Sequence, residues 1–156
     1  MKKFLTIIAL AAVALLCCQC ATSSQLKKAQ KGAKPIAYTV LDNYYVRNNI
    51  DCSKTQRLIF DNQQDFDAVF GPAAIMGNRP TRVDWNKQYV AAIVLPETNK
   101  PTMVTPLSVK GNRNSVIINY QVNRGRKTGS TLVPFAAVAL DKPTHDERVE
   151  VFFIEK

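Results

Sequence analysis

Beyond residue 35 the apolar positions either alternate with polar ones or cluster in short blocks, the two signatures of β-strands. Residues 36–46 are rich in Tyr, Val and Thr and predict a strand, broken at Asp42-Asn43. Residues 47–55 are polar and predict a loop, and residues 57–60 a short strand. Asp61 is then placed to cap a helix in which Phe66, Val69 and Phe70 fall at i, i+3 and i+4 on one face. Gly71 and Pro72 are expected to end it, the glycine at the C′ position and the proline unable to continue the helix.

The β signal then dominates. Residues 89–95 hold no polar side chain after Tyr89, which predicts a central strand covered on both faces. Residues 104–110 form the next candidate, with Pro106 marking an edge or a bulge. Gly111-Asn112-Arg113-Asn114 reads as a hairpin turn. Residues 115–122 alternate, Val116, Ile118 and Tyr120 on one side and Ile117, Asn119 and Gln121 on the other. Residues 123–129 form a second loop, 130–140 a long apolar strand interrupted at Pro134, and 149–154 a last strand. The expected fold is α+β and β-rich: a mainly antiparallel sheet of about six strands, a sandwich or half-barrel, with one short helix packed on it. The apolar strand at 89–95 needs a cover, and the helix around Phe66 is the amphipathic element available for it.

The N-terminus follows another pattern. Met1-Lys2-Lys3 is a positive start, and residues 4–16 are apolar apart from Thr6. That run is shorter than the roughly 20 residues a spanning helix needs and fits the apolar region of a signal peptide. It ends in Leu15-Leu16-Cys17-Cys18-Gln19-Cys20, which resembles the lipobox of bacterial lipoproteins. In that family a cysteine becomes the acylated first residue of the mature chain. The resemblance places the lipid on Cys18, with Leu15 three residues before it, or on Cys20, which small polar residues follow. The expected organisation is a signal peptide over 1–17, an anchor and polar Lys-rich tether over 18–35, and one domain over 36–156.

The chain has 156 residues with 21 Lys and Arg against 12 Asp and Glu, a formal charge of +9. Six of the basic residues precede residue 35, leaving 15 against 12 in the domain. The domain is thus close to neutral, and a nucleic-acid partner is not expected. Lys27, Lys28, Lys31 and Lys34 fall in the tether, where anionic head groups attract basic residues by about 1 kcal/mol each. As a bare spacer the same segment would simply be solvated.

Little in the domain points to catalysis. Cys52 has no cysteine partner outside the N-terminal cluster, so no disulfide framework is expected, and it reads as a partly buried spectator, with a reactive thiol as the alternative. His145, the single histidine, falls in a polar turn, and with Cys52 it makes no metal-ligand spacing. No cofactor, metal or catalytic residue is assigned. Trp85, just before the apolar strand, reads as a lid on the core edge or a binding platform. Two loops are basic, one at Lys110 to Arg113 and one at Arg124, Arg126 and Lys127. They flank one strand and are expected roughly 25 Å apart. The second could grip an anionic group or an acidic partner. The contacts of a binding domain are expected from loops at one end of the sheet, including those at 97–103 and 123–129, with Lys100, Thr102, Arg124, Arg126 and Lys127 as candidate partner-binding residues.

From Leu58 to Lys142 the order of elements, with Val83-Asp84-Trp85-Asn86-Lys87 before the apolar strand, resembles small envelope lipoproteins of Bacteroides-type bacteria. More distantly it is similar to the C-terminal domain of PrcB-type lipoproteins, accessory subunits of envelope protease complexes. That resemblance implies a β-rich, non-catalytic domain. Asn99-Lys100-Pro101-Thr102-Met103 stands where those proteins carry a Thr-Gly-Gly-Tyr-like loop, so no functional residue carries over. The expected function is a lipid-anchored envelope protein with a non-enzymatic binding or accessory domain, for a protease or another envelope protein. The alternative is a small envelope hydrolase or ligand-processing enzyme, which would need acids converging in a cleft.

Overall fold

The uninterrupted apolar stretch forms β6 (Gln88–Val94), every residue of it buried after Gln88. In the computed structural model, which describes residues 23–73, 78–144 and 149–156, this strand lies inside the middle of three layers. Cys18, Cys20, the apolar N-terminal run and His145 lie outside the described residues.

The elements run α1 (Ser23–Gln30), β1 (Lys34–Pro35), β2 (Thr39–Val40), β3 (Tyr44–Val46), β4 (Gln56–Phe60), α2 (Gln63–Val69) and β5 (Phe70–Pro72). They continue through β6 to β7 (Thr102–Gly111), β8 (Ser115–Arg124), β9 (Phe135–Asp141) and β10 (Glu150–Glu155). One sheet has the order β1-β7-β8-β10 and the facing sheet β2-β9-β6-β4. A ribbon of β3 and β5 and the helix α2 complete the third layer.

Alternation along β6 assigns its two faces. Tyr89, Ala91 and Ile93, with Val138 and Leu140 of β9, meet Val109, Val116, Ile118 and Tyr120 of the first sheet. Val90, Ala92 and Val94 face the other way, against Phe66 of α2, Phe60, Phe70 and Leu41. The expected β-rich α+β fold is therefore observed, as a sandwich rather than a half-barrel. The described residues form ten strands in three sheets and two helices, where the sequence predicts about six strands and one helix, because several strands are only two or three residues long.

Several local expectations change. The predicted strand at 36–46 is two short pieces, because the chain leaves the first sheet after β1, crosses to the second as β2, and joins the ribbon as β3. The break at Asp42-Asn43 is a left-handed turn, with Asn43 at φ 63°. The cap of α2 is Asn62, not Asp61: its Oδ1 accepts the Asp65 N–H at 2.9 Å. Gly71 plays no C′ role, because Phe70 is already extended, at φ −110° and ψ 139°, and enters β5 directly. The strand predicted at 130–140 begins only at Phe135, after Pro134. β7 shifts register between Pro106 and Ser108, the bulge that the proline predicts. One pair is parallel: β10 lies beside β8 because β9, between them in sequence, belongs to the opposite sheet.

The largest departure is at 18–35. From Ser23 onward this stretch is not a free tether. α1 lies against β8 with Ala29 only 4% exposed, and Lys34 and Pro35 pair with Gly111 and Lys110. Asn112 explains the attachment: its Nδ2 donates to the carbonyls of Ala29, at 2.9 Å, and Lys31, at 3.2 Å. These are among the carbonyls a helix C-terminus leaves without partners. Gly32, at φ 72°, supplies the left-handed residue that turns the chain into β1.

Candidate functional site

The loops at 97–103 and 123–129 lie at the same end of the molecule and are joined. Thr102 and Arg124 are directly opposed across β7 and β8. Just beyond them the Gly125 N–H donates to the Pro101 carbonyl at 2.7 Å, and the Thr128 N–H to the Asn99 carbonyl at 2.7 Å. The Thr128 hydroxyl adds a 3.1 Å contact to the same Asn99 oxygen. Gly125 eases this approach, since a Cβ there would stand 3.3 Å from the Pro101 oxygen, a tight contact that the loop would have to relieve. Within the first loop the Thr102 hydroxyl donates to the Lys100 carbonyl at 2.8 Å, and the Lys100 N–H to Thr98 Oγ1 at 3.2 Å. Thr98 and Leu132 form a further bridge at the base.

Two sequence-distant loops thus make one braced platform. Lys100, Arg124, Arg126 and Lys127 are exposed on it, with Thr102 half-buried between them. Met103 follows at 67% exposure, and strand alternation turns it to the face opposite Thr102 and Arg124. Arg124 reaches Glu155 of β10 at 3.9 Å, a pair exposed on both sides. The other basic loop, at Gly111 to Asn114, caps the opposite end of β8, so the two do not form one anion site.

Beside the platform is a polar cleft of about 590 Å³ that the sequence does not announce. Its apolar wall is Val46, Ile50 and Val133, and Arg47, Asp51, Cys52 and Glu97 stand around it. The loop at 47–53 is held by the Arg47 Nε donating to the Asp67 carbonyl at 2.7 Å and by the Gln56 side chain on the Asp51 carbonyl. The signal available in sequence was a polar loop of nine residues. Its meeting with Pro96 and Val133 depends on long-range pairing that spacing does not reveal.

The electrostatics of the cleft oppose nucleophilic chemistry at Cys52. Burial pushes its thiol up, and the carboxylates of Asp51 and Glu97 push it further, so at neutral pH it carries its proton. Asp51 is held below the usual carboxylate range, mainly by the Ser53 N–H it accepts at 3.0 Å. An acid that stays ionised is poorly suited to general-acid work. Among the described residues no three His, Cys, Asp or Glu side chains come together to hold a metal ion.

Trp85 occupies the lid position: its ring lies 5.6 Å from that of Phe66, at the rim of the outer core. No helix among the described residues is long and apolar enough to cross a membrane. No family model, curated protein or solved structure matches the chain.

Proposed function

We propose that the protein is a lipid-anchored component of a bacterial cell envelope, acylated at Cys18 or Cys20, whose domain binds a partner protein rather than catalysing a reaction. The observation that carries this reading is the union of the loops at 97–103 and 123–129 into one braced platform, at the opposite end of β8 from the helix that follows the cysteine cluster. A platform fixed by backbone hydrogen bonds loses little entropy on binding. Its exposed basic groups, Lys100, Arg124, Arg126 and Lys127, suit an acidic protein surface. The likeness to accessory lipoproteins of protease complexes, drawn from residues 58–142, gives the partner class: an envelope protease or a protein associated with one.

A photo-crosslinking residue at position 126, in cells, tests this. The expected result is a discrete protein adduct that is absent with the crosslinker at the exposed Gln64 on α2 and lost with Lys100→Glu and Lys127→Glu. No protein adduct at 126, or one indifferent to those charge reversals, would contradict the proposal.

A further inference from the structure

At the other end of the first sheet, α1 and the β7–β8 hairpin enclose a recess of about 650 Å³. Lys27, Lys28, Lys31, Lys34, Lys110 and Arg113 are exposed on and around the elements that form it. Among the residues lining the recess Glu150 is the only acid, and the chain carries no acid from residue 23 to residue 41. These charges are held in place. Ala29 is buried, Asn112 fastens the end of α1, and β1 is paired to β7. Lys28, Lys31 and Arg113 therefore share one built recess, while Lys34 and Lys110, at its border, project to opposite sides of the β1–β7 pair.

The chain outside this recess ends close to it. Cys20 precedes Ser23 by three residues and Cys18 by five. At about 3.3–3.6 Å per residue, a lipid on either holds the start of α1 within roughly 10–18 Å of the bilayer surface. The field of an anionic surface decays over about 8 Å at physiological ionic strength, so part of the recess lies within its reach.

We propose that the face formed by α1, β1 and the β7–β8 hairpin docks on anionic phospholipid head groups and sets the orientation of the whole domain. β8, ten residues long, then carries the loop platform about 30 Å away from the membrane. The proposal rests on the lipid-anchored reading for proximity, while the charge pattern stands without it.

The test is amine footprinting of the protein purified from membranes. It is placed in nanodiscs of phosphatidylcholine alone or with phosphatidylglycerol added, treated with a water-soluble acylating reagent, and each lysine is read by mass spectrometry. Acylation of Lys27, Lys28 and Lys31 is expected to slow about threefold or more when the anionic lipid is present, as the surface potential draws them in, and to recover in high salt. Lys100 and Lys127 should react alike on both discs. Equal rates on both discs at the α1 lysines, or protection at Lys100 and Lys127 instead, would overturn the proposal. The intact mass of the same sample reports whether acyl chains are present. An unacylated protein still protected by anionic discs would remove the anchor and keep the docking face. An unacylated protein with no protection would remove both.

Discussion

Phe66 is the residue on which the outer core turns. It is 2% exposed and touches four aromatic rings, with centroids 5.1 Å away for Tyr44, 5.5 Å for Phe60, 4.9 Å for Phe70 and 5.6 Å for Trp85. Truncating a buried phenylalanine costs about 3–5 kcal/mol, through lost transfer energy and a cavity that the neighbours fill only partly. Phe66→Ala should show that loss in urea melts, whereas Arg126→Ala, exposed on a loop, should change stability by less than about 0.5 kcal/mol. Equal midpoints for the Phe66 variant and the parent would contradict this assignment of the core. Tyr89 gives a second handle. Burial, reinforced by the Asp61 carboxylate, pushes its phenol from the ordinary 10.0 up to about 12. The folded state thus keeps a proton that the unfolded state releases. Stability is full below about pH 10 and falls as pH rises toward about 12, by an amount approaching 2–3 kcal/mol. Tyr89→Phe should lessen that alkaline loss, to which the phenols of Tyr44 and Tyr120, also pushed up by burial, contribute as well. A variant with the parent's slope would exclude Tyr89 as a source.

At the scale of elements, α2, β6 and the bulge at Pro106 were legible because their signals are local: a stripe at i, i+3 and i+4, an unbroken apolar run, and a proline in a strand. The cap of α2 was misplaced by one residue because Asp61 and Asn62 are both good capping types, and only geometry shows which oxygen reaches Asp65. α1 was not legible. Its apolar face is little more than Leu26 and Ala29, and its C-terminus is completed by Asn112, distant in the chain. The same Asn112 accepts the N–H groups of Asn114 at 3.0 Å and Ser115 at 2.9 Å, so it shapes the hairpin as well. Asn112→Ala should therefore loosen α1 and the hairpin together, at a cost of about 1–3 kcal/mol. Trypsin should cut after Lys27, Lys28 and Lys31 faster than in the parent, read by mass spectrometry. Unchanged cleavage there would mean that α1 is held by something other than this side chain.

Over the whole molecule, the two ends of the first sheet carry different features. One end carries α1 and the hairpin, and the other carries the joined loops at 97–103 and 123–129. The sequence marks both ends as basic and places both loops, but not their union, because the Asn99 and Pro101 carbonyls meet Gly125 and Thr128 through tertiary pairing. The cleft at Arg47, Cys52 and Glu97 was illegible for the same reason. The parallel β8–β10 pair follows from β9 crossing to the other sheet, a choice that short-turn reasoning does not contain. In the proposed reading, a lipid on the cysteine cluster would decide which end faces the membrane. The most direct measurement is the intact mass of the protein isolated from cell membranes, together with its behaviour in a detergent phase split. The account predicts a chain beginning at Cys18 or Cys20, heavier than its sequence by acyl chains, in the detergent phase. It also predicts loss of membrane association when Cys17, Cys18 and Cys20 are all replaced by Ser. A chain without acyl mass that partitions into the aqueous phase would contradict it.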